Sequence, residues 1–82
     1  MRTAEEYVKI VMRDETEKIA SEAATVFESA RIERIYEFDD GAVMKYEWHD
    51  SSLDDFNHRF TLMSVPKGSK EQTGVVRTIN YS

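Results

Sequence analysis

Apolar residues along positions 3–30 recur at steps of three and four. Ala4, Tyr7, Val8, Val11, Met12, Ile19, Ala23, Val26, Phe27 and Ala30 fall on one stripe, the spacing of an amphipathic helix. The stretch has no Gly or Pro and is rich in Ala and Glu, with Lys and Met among the rest, which favours helix further. Thr3 and Glu6 stand at capping-box spacing, where hydroxyl and carboxylate satisfy free backbone amides. The stripe is interrupted at Asp14, Glu15 and Thr16, and Asp14 with Glu17 repeats the capping-box spacing. The pattern therefore predicts a helix over 3–30, either straight or kinked near Arg13. A straight helix of that span is roughly 40 Å long, whereas an eight-residue strand reaches about 27 Å. Its apolar end would overhang the sheet and need a partner.

After residue 31 the period changes from helical to alternating. Ile32 to Trp48 reads IERIYEFDDGAVMKYEW, two alternating runs around Asp39-Asp40-Gly41. A three-residue loop with Gly last is a common hairpin connection, because Gly takes the left-handed conformation without strain. It pairs Phe38 with Ala42, Tyr36 with Met44, Arg34 with Tyr46 and Ile32 with Trp48, which puts the aromatic and apolar side chains on one face. A two-residue loop would pair Tyr36 with Lys45 and scramble the faces, so the pattern selects the register.

Residues 49–55 form a polar connection, in which Ser52 and Asp55 have the spacing to start a short helical turn. A third strand runs from Phe56 to Val65, with Phe56, His58, Phe60 and Leu62 in one phase. PKGSKEQT at 66–73 is a loop. A fourth strand runs from Gly74 to Tyr81, with Val75, Arg77, Ile79 and Tyr81 in phase. The predicted fold is α+β: one N-terminal helix on one face of a four-stranded antiparallel meander, in a single domain over 1–82. The opposite phase (Glu37, Lys45, Glu47, Arg59, Thr61, Thr78, Asn80) is polar and offers Glu–Lys and Glu–Arg cross-strand pairs.

Composition narrows the function. With 33% charged and 40% hydrophobic residues, the chain has the balance of a folded soluble domain. It has no Cys, so neither disulfides nor Cys-based zinc sites are available, and at 82 residues stability rests on packing or on a second copy. The net charge of −5 opposes direct binding to nucleic acid. The acids are interleaved with Lys and Arg, which describes a solvated mixed surface better than a nucleic-acid mimic. The N-terminus carries acids where a secretory signal needs apolar residues. No apolar run approaches membrane-spanning length. A cytoplasmic location is expected, with neither membrane nor nucleic acid as partner.

Candidate chemistry is sparse. Arg34 and Arg77 lie in the apolar phases of their strands, and Glu15 lies within the helical stripe. A buried charge needs a partner, a route to the rim, or a ligand. Each Arg is expected to lay its stem over aromatics and reach solvent, or to pair with Glu15. The functional alternative is a small anion site in which both arginines grip one carboxylate or phosphate beside Tyr46 and Trp48. His49 and His58, with Asp50, Asp54 and Asp55, match no zinc or EF-hand spacing, so no metal or cofactor is expected. There is no nucleophile elbow, phosphate loop or dinucleotide fingerprint. The chain is therefore expected to be non-catalytic.

Tyr36, Phe38, Tyr46, Trp48, Phe56, Phe60 and Tyr81 are more inward aromatics than one thin helix covers. Surplus aromatics serve well in interfaces, and a last strand ending in Tyr81 offers an unpaired edge. Three readings follow. The first is a protein–protein interaction module, expected as a homodimer. The second is a small acidic inhibitor, of the kind found in phage and mobile elements, that occupies a nucleic-acid-processing complex. The third is an anionic-ligand binder using Arg34 and Arg77 beside Tyr46 and Trp48, whereas Tyr46, Trp48 and Tyr81 are the candidates for an interface.

Overall fold

A computed structural model describes residues 1–50 and 57–80. The helix begins where the sequence places it. Thr3 caps α1 (Ala4–Met12): its hydroxyl accepts from the Glu6 amide at 3.2 Å, and the Glu6 carboxylate accepts from the Thr3 amide at 3.2 Å. The helix stops after nine residues. Asp14 takes a left-handed conformation, φ +52°. Its amide donates to the Val11 carbonyl at 3.2 Å, and the Glu15 amide donates to the Ile10 carbonyl at 3.1 Å. These two bonds form the Schellman arrangement that closes a helix, with Asp in the position that Gly usually holds.

The second half of the predicted helix is a strand. A 3-10 turn (Thr16–Lys18) leads into β1 (Ile19–Glu28), followed by β2 (Arg31–Phe38), β3 (Val43–His49), β4 (His58–Ser64) and β5 (Gly74–Ile79). The sheet is an antiparallel meander in the order β1-β2-β3-β4-β5, with five strands rather than four. Ile19, Ala23, Val26 and Phe27 fit a helical stripe, but Ile19, Thr25, Val26 and Phe27 are also good strand formers. The open edge of β2 decides between the two, since pairing there satisfies a whole row of backbone groups that a helix would leave unpaired.

The central hairpin forms in the predicted register: Ile32 opposite Trp48, Arg34 opposite Tyr46, Tyr36 opposite Met44. The Phe38 amide donates to the Ala42 carbonyl at 2.9 Å, and Gly41 closes the loop at φ +93°. Strand β4 continues the pattern, with Leu62, Phe60 and His58 opposite Met44, Tyr46 and Trp48. In β5 a bulge places Arg77 opposite Phe60 but Val75 opposite Thr61. Val76 therefore turns to the core and Val75 is exposed, contrary to the expected phase.

The core lies under α1. Tyr7, Val8 and Ile10 pack on Tyr36, Phe38, Ala42, Met44, Phe60 and Leu62. The Tyr7 and Phe38 rings are 4.7 Å apart, and the Tyr7 hydroxyl donates to Asp40 at 2.7 Å. Arg2 pairs with Asp39 and lies 3.6 Å from Asp40, tying the start of the helix to the hairpin turn. At nine residues α1 is about 14 Å long, whereas the ten residues of β1 span about 33 Å. The overhang is thus the reverse of the expected one: the sheet runs past the helix.

Candidate functional site

Register partners share a face, so the pairings assemble the inner face into rows across all five strands. Under the helix runs Glu22–Tyr36–Met44–Leu62–Gly74. Next comes Ala24–Arg34–Tyr46–Phe60–Arg77. Beyond it runs Phe27–Ile32–Trp48–His58–Ile79. This last row is apolar and aromatic except for one His, and among the described residues no second layer lies over it. Ile32, Trp48, His58 and Ile79 are half-buried, and Phe27 is 75% exposed.

Where α1 ends, a groove of about 300 Å³ opens between the helix and these rows, lined by Val11, Met12, Tyr36, Tyr46, His58, Phe60 and Ile79. The Tyr46 hydroxyl and His58 Nδ1 are 2.7 Å apart, and their rings stack at 5.9 Å. Burial holds the His58 imidazole below its ordinary 6.5, so it is neutral near pH 7. Burial also raises the Tyr36 hydroxyl, against the opposing pull of Arg34. The groove is apolar, with neutral polar groups at its floor.

The structure places four of the five sequence-derived candidates on this face. Arg34 and Arg77 stand in one row with Tyr46 and Phe60 between them, three strand spacings or about 14 Å apart. Arg34 pairs with Glu22 at 3.1 Å, and Arg77 pairs with Glu5 at 2.5 Å while its other nitrogen lies 3.8 Å from the Met12 sulfur. The arginines are not brought together, and neither uses Glu15, which pairs with Lys18 at 3.1 Å. Tyr46 lines the groove and Trp48 is the centre of the uncovered row. Tyr81 lies outside the described residues, as do Phe56, the Ser52–Asp55 turn, and Asp54 and Asp55 beside the histidines. Among the described residues no group of three His, Cys, Asp or Glu side chains is placed to hold a metal ion.

Phe27 was hidden from the sequence by its fit to the helical stripe. The signal for its strand was the run Thr25-Val26-Phe27. The turn that follows, Ser29-Ala30, contains no Gly, Asn or Asp to announce a hairpin.

The outer face is a mixed-charge lattice. Glu47, 6% exposed, is held by Arg59 at 3.2 Å and by Lys45 at 3.7 Å, and Glu33 by Arg31 at 2.6 Å. No described helix is long and apolar enough to cross a membrane. Comparison with protein-family models, with curated proteins and with solved structures finds no match to this chain.

Proposed function

We propose that this chain is a non-catalytic protein–protein interaction module acting in the cytoplasm, and that it meets its partner at the end of the inner face that no second layer covers among the described residues. One observation carries the reading: the row Phe27–Ile32–Trp48–His58–Ile79 continues the core's apolar surface beyond the end of α1, ending in a 75% exposed Phe. Large exposed aromatics next to half-buried ones are the usual material of binding hot spots. The two alternatives draw less support. An anion clamp needs Arg34 and Arg77 close together, and they stand three strands apart. A nucleic-acid mimic needs a dense unpaired acidic face, and Glu33 and Glu47 are interleaved with Arg31, Lys45 and Arg59.

The test is position-dependent photocrosslinking in the native cell. A photoreactive phenylalanine at position 27 should give a discrete protein adduct, and the same group at outer-face position 61 should give none. Equal labelling from both positions, or none from position 27, refutes the reading.

A further inference from the structure

We propose that the partner is a second copy of this chain, joined through β1 antiparallel to itself about a two-fold axis, so that the two sheets become one. The inference rests on the interaction-module reading and takes its contact at Phe27, the β1 end of that row; Ile32, Trp48, His58 and Ile79 lie on β2 to β5, away from the paired edge. Strand β1 is the longest of the five and forms one edge of the sheet. Both of its faces are exposed along most of its length, and its hydrogen-bonded neighbour lies on one side only. The opposite edge, β5, has six residues. An exposed edge rich in apolar residues is a template for another strand.

The spacing within β1 selects a copy of itself. Its pairing with β2 slips twice, leaving Ala20 and Thr25 as extra residues. A regular foreign strand would lose register at each bulge. Centred on Ala23, however, the two arms of β1 are equal. Ala23 to Ile19 contains the bulge at Ala20, and Ala23 to Phe27 contains the bulge at Thr25. Antiparallel pairing about Ala23 therefore sets Glu22 opposite the partner's Ala24 and Ile19 opposite the partner's Phe27. Both of these pairs belong to the inner face, since their β2 partners are Tyr36, Arg34, Phe38 and Ile32.

The side chains that meet are complementary. Ile19 is half-buried and packs against the edge of the core, so each exposed Phe27 lands on the flank of the other copy's core. One residue further out, in the 3-10 turn that leads into β1, the partner's Glu28 comes beside Lys18, which in the single chain is held by Glu15 at 3.1 Å and exchanges that acid for Glu28 in the dimer. Lys18 is already aligned with the strand, because its carbonyl accepts from the Asp39 amide at 2.9 Å. Glu22, the acid nearest the axis, is neutralised within its own chain by Arg34. A two-fold axis repeats each contact, so two Phe–Ile and two Lys–Glu pairs close the interface without leaving a sticky end.

The test is sedimentation velocity on the full chain from low micromolar to millimolar concentration. The wild type should move reversibly from 9.6 kDa to twice that mass. Phe27→Ser, at a site exposed in the single chain, should weaken the dimer at least tenfold while the circular dichroism spectrum is retained. Lys18→Glu and Glu28→Lys should each weaken it roughly tenfold, since attraction becomes repulsion at two symmetric places. An equimolar mixture of these two variants should associate as tightly as the wild type, because every pair then has opposite charges. A wild type that stays at 9.6 kDa overturns the proposal, as does a mixture no tighter than its separate components. The adduct from position 27 separates the two readings: twice the chain mass supports the second copy, whereas a foreign protein overturns it and leaves the interaction module standing.

Discussion

Replacing Tyr7 with Phe removes one oxygen atom from the best-packed point of the fold. The ring is 0% exposed and lies 4.7 Å from that of Phe38, so Phe keeps the packing. What is lost is the hydrogen bond from the hydroxyl to Asp40 at 2.7 Å. Bonds to charged acceptors contribute about 1.5–3 kcal/mol. Asp40 is not stranded by the change, since its other oxygen accepts from the Ala42 amide at 3.0 Å and Arg2 lies 3.6 Å away. The expected cost is therefore at or just below the bottom of that range, about 1–1.5 kcal/mol, or a fall in Tm of roughly 5–10 °C for a chain of this size. Thermal unfolding at fixed protein concentration measures it.

The same hydroxyl predicts an alkaline limb. Burial, reinforced by Asp40, raises its pKa well above the usual 10. As pH rises through 10 the unfolded chain releases this proton and the folded chain keeps it. The folded state then binds more protons, and stability falls with rising pH. Tyr36, raised by burial in the same direction, contributes to that slope. Tyr7→Phe should make the slope shallower. An unchanged Tm together with an unchanged alkaline slope would refute the coupling between helix and hairpin turn.

Three further perturbations probe other parts of the structure. His58 is held below its ordinary 6.5 by burial, so as pH falls through 6.5 the unfolded chain takes the proton first and stability drops; denaturant titrations should show that His58→Gln flattens this acid limb. Gly41→Ala meets no atom within 4 Å but must hold φ +93°, which costs about 1 kcal/mol in backbone strain and should appear as a lower midpoint in urea. Arg77→Met removes a 38% exposed guanidinium from its pair with Glu5; exposed pairs contribute less than about 1 kcal/mol, so its Tm should stay close to that of the wild type.

The parts of the fold that were legible in the sequence are those fixed by local chemistry. Thr3 and Glu6 marked the helix start, and Asp39-Asp40-Gly41 with its flanking alternation marked both the hairpin and its register. Asp14 was visible as an interruption, but its left-handed geometry, which ends the helix outright, was not. Ile19 to Glu28 was misread because alanines at 20, 23 and 24 fit either period and because the edge that captures the strand is a long-range feature. That error inverted the mismatch of lengths. The surplus of aromatics over helix was still readable, and it corresponds to the row that runs beyond the end of α1. Arg34 and Arg77 were correctly placed in inward phases, but the pairing of each with a carboxylate from a different element, Glu22 and Glu5, depends on topology.

The central claim is that residues 19–28 form an edge strand that a second copy completes. Residue-resolved amide hydrogen exchange at two protein concentrations tests it most directly. In dilute solution the β1 amides that bond to β2 should be protected, and those on the free edge should exchange quickly. At high concentration the free-edge amides should become protected as well, with α1 unchanged. Continuous helical protection from 19 to 28, or free-edge amides that exchange equally fast at both concentrations, would contradict the account.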